Sequence, residues 1–560
     1  MTLRSLPRSA WVEAALLAIF AAAWRAPGLL QEWAGDELYQ ALAARQYLID
    51  GTLSITGGEP YDRGRELTML VAALYGMLGE SAVVARLPAL VCGSLAVAVV
   101  FLWLRAYGER VAAFVAAVLL AIDPESVTHS QMLRFYTPQL LLFLGGAIGV
   151  DALTARRHGI VQTALLALVT AVSLRAAYEM QMVTAIGIGG LGIFAALTTG
   201  PALVRHAREG WTGRLLVLGA LAGSALAGLA LVESGFVANA VHFVSYVDYW
   251  ARDSASDRGY YVGRMLDSWP GLWAGFAVAA VLAVSRQTRP ALLSLSVFGT
   301  AFVVQSLLAW KAQRYLFYAM PFFFVVIGLA VARVAGPLAG LVDDLLGRSA
   351  VLRERPRLAR ALRGAVLGGV VTFAALSHPA LVRSARGLLA DPTLRHPGQG
   401  AVTLSWSRAA PVLRPLAQEA GTVVATDDLK AIYYLDRLDY VLDRDHLHED
   451  RPSDVGPRPE FSIDRKIDRP MVSEPQSLER IMACSETGLV VAQQFALDTP
   501  YFVPKETRAF LLERGEPVAL PPESGIVAFR WHTPRDRLAV DCPPKALPDT
   551  FVNGAEQRKP

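Results

Sequence analysis

The chain has 560 residues, of which 53% are hydrophobic and only 18% charged. Its mean hydropathy is +0.37, whereas a soluble protein carries about a quarter charged residues. The apolar residues are also segregated into blocks of roughly 18–24 before position 381, which excludes a soluble enzyme, a disordered scaffold and a single-span receptor. The formal net charge of +4 is unevenly divided: from Ser384 onward about 22 Lys and Arg face 26 Asp and Glu, leaving the tail near −4 and the rest near +8. A uniformly basic nucleic-acid binder would not split in this way.

In chain order the apolar blocks fall at 10–29, 81–104, 110–123, 135–153, 160–176, 182–198, 213–232, 269–285, 291–309, 314–334 and 361–381. The expected fold is a polytopic α-helical membrane protein of about 11 spans, residues 1–383, followed by a soluble α/β domain over 384–560. The first block follows Arg4 and Arg8 like a signal peptide, but its continuation to Leu30 and the many later spans favour a retained helix. With the N-terminus in the cytoplasm, five basic turns all fall inside: Arg105/Arg110, Arg156/Arg157, Arg205/Arg208/Arg214, Arg286/Arg289 and the 333–363 stretch. The 31–80 loop, the 124–134 loop, the 174–181 turn, the 233–268 loop, the 309–314 turn and the tail then lie outside, in a plasma (inner) membrane with a periplasmic tail.

These outer loops are rich in ionisable residues of both signs, among them Asp36, Glu37, Glu59, His129, Arg134, His242, Asp248 and Lys311, mixed with Tyr and Trp. Such a mixture at a membrane boundary marks a polar cavity on one face, with interfacial snorkelling as the alternative for individual residues. The tail alternates helix and strand signals. SWSRAAPVLRPLAQEAG, DDLKAIYYL, EPQSLERIMACSETG and KETRAFLLERG read as helices. TVVAT, DYVL, GLVVAQQ and GIVAFRW read as strands of a mostly parallel sheet. The polar, Pro-rich 443–470 stretch reads as a loop; its His446, His448, Glu449 and Asp450 are metal-ligand types, though a solvated loop explains them as well. Cys92 sits in an apolar block, while Cys484 and Cys542 in the tail allow a disulfide outside the cytoplasm.

The most informative segment closes the first span: an acidic pair, Asp36-Glu37, opens a helix just outside the membrane. Asp there can serve as a simple cap. Together with three other places, however, GDELYQALA (35–43) resembles the GT-C superfamily of integral-membrane glycosyltransferases, in particular the protein O-mannosyltransferase and lipid A aminoarabinose transferase group. The others are ARLPALVCGSLAVAVVFLWLRAYGERVAAFVAAVLLAIDP from Ala85, HSQMLRFYTPQLLLFL from His129 and WKAQRYLFYAMPFFFVVIGLA from Trp310. In their order along the chain, with the α/β tail, they cover most of it.

The resemblance implies a polyprenyl-phosphate-sugar-dependent transferase, moving a monosaccharide to a hydroxyl of a glycolipid, polysaccharide or protein. A hydroxyl attacks poorly until its proton has somewhere to go, so Asp36 is the expected base, with Glu37 orienting it or the acceptor. A leaving phosphate needs cations at the bilayer boundary. Lys311 (the first lysine of the chain) and Arg314 are the leading candidates, followed by Arg86 and Arg134, with Tyr136 and Tyr315 as hydrogen-bond donors. Asp123, Glu125 and His129 align with no family carboxylate. The aromatic 234–268 loop is either a flap over the donor or a surface loop. No cofactor and no essential metal are expected. The competing classes are a transporter, which should show repeated halves or corresponding broken spans that are not found, and a non-enzymatic envelope-assembly subunit.

Overall fold

The structure, a computed structural model, describes residues 6–55, 60–155, 159–212, 214–215, 257–309, 311–347, 378–389, 391, 395–396, 400–401, 404–443, 461–464, 467, 469–500, 502–539 and 542–543. In chain order the helices before the α/β segment are α1 (Arg8–Arg25), α2 (Gly35–Asp50), α3 (Arg65–Leu78), α4 (Ala82–Ala106), α5 (Arg110–Ile122), α6 (Pro124–Ser130), α7 (Tyr136–Ala155), α8 (Ile160–Met180), α9 (Thr184–Glu209), α10 (Tyr260–Ser268), α11 (Pro270–Ala274), α12 (Phe276–Arg286), α13 (Thr288–Leu307), α14 (Met320–Gly347) and α15 (Pro379–Leu389). Among the described residues seven helices are long and apolar enough to cross a membrane, or eight if the bent pair α5–α6 counts as one span. The chain is a multi-pass helical membrane protein. The expected spans at 213–232 and 361–381, but for residues 214–215 and 378–381, together with Glu59, His242 and Asp248, lie outside the described residues. The expected span 269–285 is divided between α11 and α12.

The chain forms two compact units. One comprises Met1–Ala26, Ala89–Ser130 and Phe135–Arg386; the other comprises Pro27–Pro88, Gln131–Arg134 and Gly387–Pro560. In the first, α5 packs on α14 through a face of buried alanines: Ala112, Ala113, Ala116 and Ala117. In lipid there is no hydrophobic drive between helices, so small residues win by letting backbones approach. A Cβ added at Gly328 of α14 would stand 2.6 Å from the Ala112 carbonyl oxygen. The bend of 60° between α5 and α6 has a local cause. Asp123 precedes a proline, which drives it out of the helical region to φ −58°, ψ 126°. Its carboxylate then caps α6 by accepting from the Ser126 amide at 2.9 Å. The buried Arg25 donates to the last carbonyls of α5, Leu120 at 3.1 Å and Ala121 at 3.3 Å, and to Ser126 Oγ at 2.8 Å.

The second unit holds the α/β segment. After the short pair β1 (Arg395–His396) and β2 (Gly400–Ala401) it runs α16 (Trp406–Glu419), β3 (Thr422–Ala425), α17 (Asp428–Leu435), β4 (Tyr440–Leu442), β5 (Ser462–Asp464), β6 (Arg469–Val472), α18 (Pro475–Ala483), β7 (Thr487–Gln493), α19 (Gln494–Asp498), α20 (Lys505–Arg514), β8 (Glu516–Pro517) and β9 (Ile526–His532). The sheet order is β5-β6-β4-β3-β7-β9-β8. Its centre, β6-β4-β3-β7, is parallel, as helix–strand alternation demands. Its edges, β5 against β6, β7 against β9 and β9 against β8, are antiparallel, so the expectation of a mostly parallel sheet holds only for the centre. The stretch read as a loop over 443–470 contains β5 and the start of β6; its residues 444–460, with His446, His448, Glu449 and Asp450, lie outside the described residues. Gly488 pairs with Trp531 across β7 and β9, and a Cβ there would meet the indole at 1.9 Å. The glycine leaves room for Trp531, which belongs to one buried cluster with Val424, Leu442, Val472, Val490 and Leu511.

Cys484, after α18, is joined to Cys542 by a disulfide with Cα atoms 5.6 Å apart. The bond closes a loop of sequence separation 58, so replacing both cysteines with alanine is expected to destabilise the α/β segment by about 4 kcal/mol. Faster amide exchange in β7 and β9 of the double variant, matched by treatment of the parent with reductant, checks this.

Candidate active site

Asp36 and Glu37 occupy the first turn of α2, where the unpaired amides of a helix N-terminus favour negative charge. The two adjacent carboxylates meet opposite fates. Glu37 is fully buried against Arg86, also fully buried. Its Oε1 accepts from Arg86 Nε at 2.8 Å and from the Leu133 amide at 2.6 Å. Its Oε2 accepts from Arg86 Nη2 at 2.8 Å and from the Ala34 amide at 2.9 Å. Ala34 has no side-chain oxygen, so only the Glu37 half of a capping box forms.

Arg86 goes further. Its Nη1 donates to the Leu29 carbonyl at 2.9 Å and the Gln31 carbonyl at 2.7 Å, and its Nη2 also reaches the Glu32 carbonyl at 3.2 Å. A guanidinium has five N–H donors, and here each has a protein partner. The residue named from sequence as a phosphate ligand therefore has no donor left for one; it locks the first loop instead.

Asp36 is the member of the pair that faces outward, its side chain 50% exposed. Arg134, nearly buried, donates from Nη1 to the Asp36 main-chain oxygen at 2.8 Å and to the Tyr61 hydroxyl at 3.2 Å, and its Nη2 lies 3.7 Å from Asp36 Oδ2. Tyr61 stacks on Tyr39 with ring centres 6.4 Å apart, and burial pushes its hydroxyl above the ordinary range against the pull of Arg134 and Arg63. The second unit thus brings together Asp36, Glu37, Arg86 and Arg134.

The other four named residues belong to the first unit. Lys311 is 4% exposed, its Nζ donating to the Leu308 carbonyl at 2.7 Å. Burial lowers the affinity of its amine for a proton, which Asp257 opposes and Arg258 reinforces. The Arg314 guanidinium lies 5.4 Å over the Tyr315 ring. Tyr136 packs against His129 with ring centres 4.6 Å apart, and Phe317 flanks the same imidazole at 4.6 Å. His129 Nε2 is 3.4 Å from Glu125 Oε2.

Beside this turn Asp123, Glu125, Tyr261, Arg264, Trp269 and Gln313, among others, line a small cleft. Trp269 Nε1 donates to Asp123 Oδ1 at 3.2 Å, and the Tyr261 hydroxyl donates to the Ala312 carbonyl at 3.0 Å. The sequence signal was an Asp-Pro-Glu run at the end of an apolar block; its partners Tyr261 and Trp269, over a hundred residues away, left none. Among the described residues no three His, Cys, Asp or Glu gather as a metal site.

No sequence-family model and no curated protein matches the chain. Solved structures do. ArnT from Cupriavidus metallidurans bound to undecaprenyl phosphate superposes with a TM-score of 0.58 at 14% identity, covering 93% of this chain and 97% of that one. The fold is GT-C. The apo state of the same ArnT superposes with a TM-score of 0.56 at 14% identity, covering 93% and 98%. The 93% of this chain that is matched includes residues of both compact units. The roles of individual residues rest on the geometry above.

Proposed function

We propose that the chain is a glycosyltransferase that moves a single hexosyl or pentosyl unit from a polyprenyl-phosphate carrier to a hydroxyl of a glycolipid, polysaccharide or protein. The reaction takes place on the extracytoplasmic face of the plasma (inner) membrane, where the basic turns of the opposite face orient the chain. Asp36 takes the proton of the acceptor hydroxyl. The oxygen attacks the anomeric carbon, and the bond from that carbon to the phosphate oxygen breaks with its electrons on the phosphate. The products are a new glycosidic bond and a free polyprenyl phosphate.

Lys311 and Arg314 hold the phosphate as its charge grows, with Tyr315 donating a hydrogen bond and Tyr136 and Arg134 as further donors. Glu37 and Arg86 act by fixing the turn that bears Asp36. The observation that carries this reading is the contrast within the acidic pair: one carboxylate is consumed by four protein donors and the other is left half exposed above it. Its support in fold is ArnT, a GT-C structure that holds undecaprenyl phosphate.

The test is to supply purified protein in nanodiscs with defined polyprenyl-phosphate sugars labelled in the glycosyl group, plus an envelope extract as acceptor source. Release of polyprenyl phosphate with transfer of label from one donor is expected. If every donor of the series remains intact while the protein stays folded, the proposal is overturned.

A further inference from the structure

Glu32 is 3% exposed and lies four residues before Asp36, yet all four donors to its carboxylate come from the α/β segment. Oε2 accepts from Ser405 Oγ at 3.0 Å, Ser407 Oγ at 3.0 Å and the Ser407 amide at 3.4 Å; Oε1 accepts from the Tyr434 hydroxyl. Ser405 precedes the first residue of α16 and Ser407 follows it, so the carboxylate sits at that helix's N-terminus, where amides and helix dipole favour it. Burial, followed by the charge of Glu32, drives the Tyr434 hydroxyl far above its ordinary range, so it stays a donor.

The next residue repeats the connection with apolar surface. Trp33 lies under the Arg86 guanidinium at 4.8 Å and edge-on to Tyr433 at 5.4 Å, and Arg45 of α2 lies 5.0 Å over Tyr433 while pairing with Glu80 at 2.7 Å. The path then runs on through the Glu32 carbonyl to Arg86, from Arg86 to Glu37, and so to the turn that presents Asp36.

We propose that Glu32 is a positioning residue through which the C-terminal α/β segment holds the Asp36 turn in its working geometry. A carboxylate buried under four protein donors binds no substrate; what it does is fix where its neighbours point. Displacing a reacting group by about 1 Å costs on the order of a hundredfold in rate, so a tether this close to the base acts on turnover and leaves donor affinity alone. The inference rests on Asp36 as the base.

Full-length protein in nanodiscs carrying Glu32→Gln, or the milder Tyr434→Phe that removes one hydroxyl, tests it by two readouts. Amide exchange over 33–40 is expected to quicken roughly tenfold while β3 and β7 stay protected, and kcat to fall on the order of tenfold with donor KM within about twofold. Unchanged exchange over 33–40 overturns the proposal, as does faster exchange with unchanged kcat, or loss of protection throughout β3 and β7 in Tyr434→Phe. Full activity of Asp36→Asn would instead remove the base assignment, a failure that the exchange measurement separates from this one.

Discussion

Asp36→Asn is expected to lower the turnover of glycosyl transfer by on the order of 10²–10⁴ while the protein folds as before. The substitution keeps the shape of the side chain and removes only its capacity to take a proton. Half of that carboxylate faces water, and Arg134 Nη2 lies 3.7 Å from its Oδ2. A partly exposed pair of that length is worth about 0–1 kcal/mol. The stronger bond from Arg134, at 2.8 Å, goes to the main-chain oxygen of residue 36, which asparagine retains. Initial rates with whichever polyprenyl-phosphate sugar the labelled series shows to be consumed, measured beside amide exchange in α2, check the two halves of the expectation. Transfer within threefold of the parent would show that the acceptor's proton leaves by another route.

Much of this was legible from the chain. Apolar blocks report helices directly, because each must cover its backbone and face lipid, and the ends of α1, α4, α7, α8, α13 and the late span near 317 fall within a few residues of expectation. The α/β order was equally local in origin: Gly421 stops α16, and Val423 and Val424 lie in a fully buried strand. The antiparallel edges were not visible. β5 and the start of β6 lie in a polar stretch with no alternation, and they are strands because β4 offers β6 an edge and β6 in turn offers one to β5. The acidic pair was found, but which of its members would be consumed was not. That choice is made by the Arg86 side chain and the Leu133 amide, 49 and 96 residues away. Likewise Arg86 carries a charge that reads as a ligand for phosphate until its five donors are counted in three dimensions.

The same count makes Arg86→Met the most damaging single change expected for stability. It would strand the Glu37 carboxylate where nothing is exposed, with only the Ala34 and Leu133 amides as donors. It would also leave the carbonyls of Leu29, Gln31 and Glu32 without the guanidinium that now gathers them. Breaking a buried pair from one side costs about 3–5 kcal/mol, against the 5–15 kcal/mol that typically holds a domain folded. Removing both charges is different in kind. Glu37→Gln together with Arg86→Met leaves no buried ion, and the amide oxygen of the new side chain can still accept from Ala34 or Leu133. The double variant is therefore expected to be more stable than Arg86→Met alone. Denaturant unfolding of the parent, both single variants and the double, followed by exchange in α2 and α3, measures the coupling. A double variant no better than Arg86→Met would mean that the carbonyl contacts, rather than the ion pair, hold the loop.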